Sequence, residues 1–322
     1  MKSHIFILSL LLVCGCSAQT VTDTDENRQP LKAERKSIID KPTWIHGSSD
    51  CDNNIDPVHD VYVHSEQTII MRQNKCSTFE APFIYVLVGE QKILVLDTGD
   101  VDDTIEPSLD KEIQTLLGIE QFTTKEILVV HSHGHSDHYQ GDRSFEKYPN
   151  VTLIKPSAIE VHNFFGFSNW PQGQATIDLG GRLLTVIPTP GHHEEAITIY
   201  DHKTQWLLTG DTVYPGLIYV KDWQTYRESI ARLTRFVINN EVKAIMGAHI
   251  EMMDRPGAYY AIGSTYQPHE AQLDLPVESL IILNERLQQT DSPTEVIFDD
   301  FIVRPMGLIQ TTLSNIVRWF TQ

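Results

Sequence analysis

Apolar residues in this chain come in short dense runs separated by polar turns, and the runs at 67–72, 82–88, 91–96, 126–130, 182–187, 196–200, 205–208 and 243–246 read as strands. Several have apolar residues at consecutive positions, as in Ile127-Leu128-Val129-Val130, which predicts strands covered on both faces. A second period shows at 106–117, 223–238 and 276–289, where apolar residues recur every three or four positions. Those segments predict helices with one buried face. Strands interleaved with helices make an α/β chain, and the close spacing of several strands predicts hairpin-like pairs.

The two halves echo each other. In the first, a strand ends in Leu-Asp-Thr-Gly-Asp, carrying Asp97, and after a helix the next strand ends in His-Ser-His. In the second, a strand ends in Leu-Thr-Gly-Asp-Thr, carrying Asp211, and after a helix the next strand ends in Gly-Ala-His, carrying His249. Two such units can pack their sheets face to face with helices outside, aiming every Asp and His at one edge. Ligands of α/β sheets bind outside the carboxyl ends of strands. Beyond His249, the Gly-, Pro- and Tyr-rich stretch 252–270 predicts a loop closing over that edge, followed by a packing helix or a subunit interface.

Composition adds the compartment. The 322 residues are 41% hydrophobic, as in a globular protein, and a formal net charge of -18 without a basic cluster excludes nucleic acid as a partner. Residues 1–15 hold a Lys and an apolar stretch too short to span a bilayer, which predicts a signal peptide. Its end, Val13-Cys14-Gly15-Cys16, resembles a bacterial lipoprotein signal, implying that Cys16 carries lipid and that the mature protein is exported and anchored on the periplasmic side of a membrane. A secretory signal cut near Ala18 is the alternative. The polar stretch 16–40 reads as a flexible tether and 41–322 as the folded domain. Cys51 and Cys76 remain in that domain, either bridged, as an oxidising compartment permits, or as two free thiols.

Chemistry concentrates in His131-Ser-His-Gly-His-Ser-Asp-His138. Its best metal-binding frame is His133-x-His135-x-Asp137-His138. Two imidazoles two residues apart in extended chain point to one side, while Asp137 and His138 approach from the following turn. One tetrahedral ion does not need all four groups; two neighbouring ions would share them. With this motif the chain resembles the metallo-β-lactamase superfamily, and further motifs follow in order: Thr189-Pro-Gly-His-His193, Leu207-Leu-Thr-Gly-Asp-Thr212 and Ile245-Met-Gly-Ala-His249. The resemblance implies a four-layer αββα sandwich. It also implies two zinc ions, one on His133, His135 and His192, the other on Asp137, His138 and His249, with Asp211 bridging them and Asp97 supporting the ligands from behind. His131 and His193 fall outside the pattern and read as a strand residue and a residue at the site's edge.

What this implies is an exported, metal-dependent hydrolase of a small ester, lactone, thioester or amide, with the nucleophile formed from zinc-bound water whose pKa falls toward about 7. Asp137 would orient that nucleophile and move its proton, and Tyr214, three residues beyond Asp211, would donate to a developing oxyanion. Phe164, Phe165, Phe167, Trp170, Tyr214 and Tyr219 are candidates for the pocket wall, with core packing as the bland alternative. An Asp at 211 departs from the better-known zinc β-lactamases, which tend to have Cys or Ser there, and is more like glyoxalase II thioesterases, lactonases and phosphodiesterases of the superfamily. Export sets the chain apart from glutathione thioesters, a mainly cytosolic pool. An iron-dependent sulfur (persulfide) dioxygenase and a β-lactamase proper are the rival readings. No G-x-S-x-G elbow, P-loop or G-x-G-x-x-G occurs.

Overall fold

The computed structural model describes residues 37–307 except 42, 103 and 291, together with the backbone of the short strands Gln19–Thr20 and Arg28–Gln29. The signal peptide and Cys16 lie outside the described residues.

Two six-stranded sheets form the body. The first runs in the order His59–Ser65, Thr68–Gln73, Phe83–Val88, Lys92–Leu96, Glu126–Val130, Val151–Leu153. The second runs Asp274–Leu275, Ala244–Gly247, Trp206–Gly210, Ile197–Asp201, Leu183–Pro188, Ala175–Asp178. Neighbours joined by tight connections pair antiparallel. Parallel pairs need a crossover, and two of them occur where the sequence places helices: Lys92–Leu96 beside Glu126–Val130, and Trp206–Gly210 beside Ala244–Gly247. The helices Leu109–Leu117 and Trp223–Asn239 make those crossovers, the second started by Asp222, whose side chain accepts the Thr225 amide at 3.0 Å.

The alternation of side chains along each strand builds the layers. Leu94, Leu96, Leu128 and Val130 of the first sheet meet Leu184, Val186, Ile199, Leu208 and Met246 of the second in the central core. Their neighbours Ile93, Val95, Ile127 and Val129 face outward onto Leu109, Ile113, Leu117 and Phe122. On the far side Ile187, Leu207 and Ile245 pack on Tyr226, Ile230 and Leu233 of the long helix and on Leu280, Leu283 and Leu287 of Val277–Gln288. Helix, sheet, sheet, helix is the expected αββα sandwich, with the C-terminal helix serving as a packing helix. Burying each of these Leu or Ile side chains stabilises the fold by roughly 1.5–3 kcal/mol.

The N-terminal boundary needs correction. Gln19–Thr20 pairs with Ala258–Tyr259, and Arg28–Gln29 extends a small sheet with Val296–Phe298, Ile302–Pro305 and Leu217–Val220. Ile39 is in the core, and the Ile38 amide donates to Asp274. Two pieces of the expected tether are thus held by backbone ladders, which polar sequence permits because ladder bonds need no apolar side chain. Cys51 and Cys76 are bridged, tying the start of the domain to the loop after Thr68–Gln73. No helix among the described residues is long and apolar enough to cross a membrane.

Candidate metal centre

All the candidate residues lie just beyond strand ends on one edge. Asp97 follows Leu96, the His-rich turn follows Val130, Asp211 follows Gly210, and His249 lies two residues beyond Gly247. Gly210 makes the approach possible: at φ +51 it lies so close to Ser132 that a Cβ would come within 2.5 Å of the serine Cβ. His192 comes from the turn between Leu183–Pro188 and Ile197–Asp201.

Side chains there converge as two groups, His133, His135, His192 and Asp211 in one and Asp137, His138 and His249 in the other, with potential ligand atoms in each within 4.8 Å of one another. In the first, His135 Nδ1 lies 2.8 Å from His133 Nε2 and 3.0 Å from His192 Nε2. In the second, Asp137 Oδ2 lies 3.3 Å from both His138 Nε2 and His249 Nε2, which are 3.4 Å apart. Asp211 faces both. Its Oδ2 is 3.7 Å from His192 Nε2 and 3.9 Å from His133 Nε2, while its Oδ1 is 3.4 Å from His249 Nε2 and 3.6 Å from His138 Nε2.

The outer nitrogens decide what this arrangement fits. His192 Nδ1 donates to the Tyr219 carbonyl (2.6 Å), His249 Nδ1 to the Glu80 carbonyl (3.0 Å) and His138 Nδ1 to Asp97 Oδ2 (3.0 Å). Ser132 Oγ gives its proton to Asp97 Oδ2 at 2.9 Å and so accepts from His133 Nδ1 at 3.1 Å. With the proton held outside, the neutral imidazole turns a lone pair inward, as a metal ligand must. Lone pairs facing one another at 3.4 Å repel without a cation between them. Tetrahedral zinc with bonds of about 2.0–2.1 Å sets its ligand atoms about 3.4 Å apart. Spacings in the second group together with Asp211 Oδ1, 3.3–3.6 Å, match that figure, and those in the first, 2.8–3.9 Å, bracket it. Asp211 Oδ1 is buried without a hydrogen bond, as an oxygen reserved for a cation would be. The residues fit metal ions.

Protons compete for the two groups unequally. Burial and the surrounding imidazoles hold His133 and His135 well below the usual histidine range, and burial also lowers His192 despite Asp211. Burial acts the same way on His138 and His249, but carboxylates outweigh it: Asp137, Asp97 and Asp211 raise His138 well above its ordinary value, and Asp211 with Asp137 raises His249 to about 9. In turn those imidazoles overcome the effect of burial on Asp137 and Asp211, holding both below the usual carboxylate range.

Asp97 sits behind the candidate ligands, accepting the Ser132 amide at 2.6 Å besides Ser132 Oγ and His138 Nδ1. Its backbone is left-handed, φ +67, a conformation costing on the order of 1 kcal/mol that Asp tolerates better than most residues. His131 bridges the Ile154 carbonyl and Asp142 and takes no place among the ligand atoms. One expectation is corrected. Tyr214 is buried, and its hydroxyl donates to the Leu217 carbonyl at 2.7 Å beside Glu251, so it is not available to an oxyanion; its ring packs on His249 instead. His193 stands at the edge of the cluster, outside both groups and with its ring 4.8 Å from that of His135, and it is 2% exposed. Phe165, Phe167 and Trp170 pack onto the central core, leaving Phe164 outward. Sequence gave no sign of the Glu80 and Tyr219 carbonyls, since every residue has one. Ser132 was legible only as the neighbour of His133.

A family profile described as the metallo-beta-lactamase superfamily matches residues 77–257, which contain every candidate ligand. The acyl-coenzyme A thioesterase MBLAC2 of Gallus gallus is 25% identical over 217 residues, covering 57% of this chain and 77% of that protein. The hydroxyacylglutathione hydrolase of Buchnera aphidicola is 26% identical over 136 residues, 42% of this chain, which spans 48% of that relative. Among solved structures, a metallo-beta-lactamase from Pontibacter korlensis aligns with 72% of this chain and 100% of its own at 17% identity and a TM-score of 0.49. A profile match over more than half the chain, with all seven potential ligands inside it, establishes that the chain belongs to the metallo-beta-lactamase superfamily.

Proposed function

We propose that this protein is a zinc-dependent hydrolase holding two ions and cleaving a small acyl compound, with a thioester as the best-supported substrate among ester, lactone, thioester and amide. The observation that carries it is Asp211, one oxygen toward each group of ligands. When bound, two zinc ions lower the pKa of water and offset charge developing on an acyl oxygen. His133, His135 and His192 would hold one, Asp137, His138 and His249 the other. Asp137, ionised and partly open to solvent, orients the attacking water and accepts its proton.

Two points favour a thioester. One relative is named a thioesterase and the other a hydrolase of an acylglutathione, which is itself a thioester. A thiolate, with a conjugate acid of pKa about 8.5, also leaves without a proton donor, and the hydroxyl of Tyr214 is committed elsewhere. The test is elemental analysis of protein purified without added metal, beside turnover of acyl thioesters, lactones, nitrocefin and phosphodiesters. About two zinc ions per chain and fastest turnover of a thioester are expected. Iron with oxygen consumption on a persulfide would replace the proposal with the dioxygenase reading, and preferential nitrocefin turnover with a β-lactamase.

Export and lipidation at Cys16 belong to the same proposal, on the strength of the Val13–Cys16 motif and the polar residues after it. Cys16→Ala is expected to move the protein out of the membrane fraction with unchanged specific activity. Retention of the variant on salt-washed membranes would rule out lipid as the anchor.

A further inference from the structure

His135 differs from the other imidazoles of the centre. It turns Nδ1 inward, and no hydrogen bond from its Nε2 is found among the described residues, whereas His133, His138, His192 and His249 each have an oxygen holding the outer nitrogen. Its orientation comes from packing. Three rings stand nearly perpendicular to it, His133 at 83°, His192 at 89° and His193 at 84°, with centroids 4.6–4.8 Å away. Two of these are candidate ligands; His193 is not.

Behind His193 is a buried acid. Glu195 is fully buried, and its Oε2 lies 2.8 Å from His193 Nδ1, although the angle falls short of a hydrogen bond and neither carboxylate oxygen receives one from a described residue. Its other oxygen presses on the residue between His133 and His135: a Cβ at Gly134 would be 2.2 Å from Glu195 Oε1 and 2.8 Å from the Pro156 carbonyl. Lys221 is half-buried, and the Glu195 charge offsets part of the lowering that burial imposes on it. A buried carboxylate without hydrogen bonds is costly to a fold, so stability alone does not account for Glu195. Besides Lys221, its neighbours are Gly134, in the turn carrying His135, and His193, whose ring packs on His135.

We infer that His193 and Glu195 are a positioning pair for His135: Glu195 seats the Gly134 backbone and fixes His193, and the edge of the His193 ring holds His135 with Nδ1 directed at the first metal. This rests on His135 being a metal ligand. Neither residue touches substrate. Partners that orient a ligand from behind typically change metal affinity 10- to 100-fold, and the pair should act as a unit.

The experiment uses the mature chain, stripped of metal and titrated with Zn2+ against a chelator and with Co2+ followed by its visible ligand-field spectrum. Glu195→Gln, Glu195→Ala and His193→Phe are compared with the parent, along with the double variant carrying Glu195→Gln and His193→Phe. Expected are native circular dichroism in Glu195→Gln, about a 10- to 100-fold weaker first ion with an altered Co2+ spectrum, a second ion changed by no more than a few-fold, and a double variant no worse than the worse single one. Wild-type affinity and spectrum in the Glu195 variants would overturn the pairing, as would loss of the fold in Glu195→Gln, which would make the acid structural. A parent chain binding neither Zn2+ nor Co2+ would instead overturn the metal assignment itself, before any variant is compared.

Discussion

Asp211→Ala is expected to fold, to keep about one metal ion per chain and to lose on the order of a hundredfold or more in hydrolysis. Folding should survive because Asp211 Oδ1 receives no hydrogen bond whose loss would strand a donor. The metal loss follows from charge. A carboxylate with one oxygen 3.4 Å from His249 Nε2 and the other 3.7 Å from His192 Nε2 would lie between the two proposed cations, offsetting part of their repulsion and fixing their separation. Without it the two ions would repel in full, and the ion retained is expected on His133, His135 and His192, whose imidazoles protons compete for least. A hundredfold corresponds to about 2.7 kcal/mol of transition-state stabilisation. Asp211→Asn should bind better than Asp211→Ala yet remain impaired, because an amide keeps the shape without the charge. Metal content read beside turnover tests both, and two tightly held ions with near-normal rates in Asp211→Ala would end the bridging assignment.

The candidate ligands were legible because they fall in motifs that resemble the superfamily's and lie just beyond strand ends, and strand ends follow from apolar runs. Where a run is dense and bounded by glycine, as at Leu207-Leu208-Thr209-Gly210, both the strand and the residue after it could be placed. His59–Ser65 was missed for the opposite reason. It is an edge strand whose exposure rises along its length, and its only apolar stretch, Val61-Tyr62-Val63, is too short to stand out between His59-Asp60 and His64-Ser65. The helix Ala158–Phe165 escaped as well, because burying little beyond Val161 it needs no periodic stripe. What supports the ligands was less visible than the ligands. Backbone acceptors at Glu80 and Tyr219 are set by where loops pass, and the burial of His193 and Glu195 depends on how the turn after Pro188 folds back under Gly134. Those are tertiary facts with no local signature.

Asp97 is the exception, marked as a supporting residue by the superfamily resemblance and by its place at a strand end, and its substitution gives the second large expected effect. Its carboxylate is filled on both sides by donors: the Ser132 amide on Oδ1, and Ser132 Oγ with His138 Nδ1 on Oδ2. Asp97→Asn keeps the size and tolerates the φ of +67, so the fold should be intact. An amide, however, has one acceptor where the carboxylate has two. If its oxygen stays on the Ser132 amide, its NH2 faces His138 Nδ1–H, donor against donor, and His138 relieves the conflict by moving its proton to Nε2. That nitrogen is the one lying 3.3 Å from Asp137 and 3.6 Å from Asp211, and once protonated it cannot ligate. If the amide turns over, the NH2 opposes the Ser132 N–H at the hinge of the His133 turn. Either way the isosteric variant is expected to lose about 10- to 100-fold in affinity for the second ion and comparably in turnover. Asp97→Ala, which leaves His138 free of a mispaired donor but strains the backbone at positive φ, should bind that ion no worse than Asp97→Asn while melting lower. Chelator competition and thermal unfolding on the two variants decide it: Asp97→Asn holding both ions with wild-type affinity would mean that the tautomer of His138 is set by something other than Asp97.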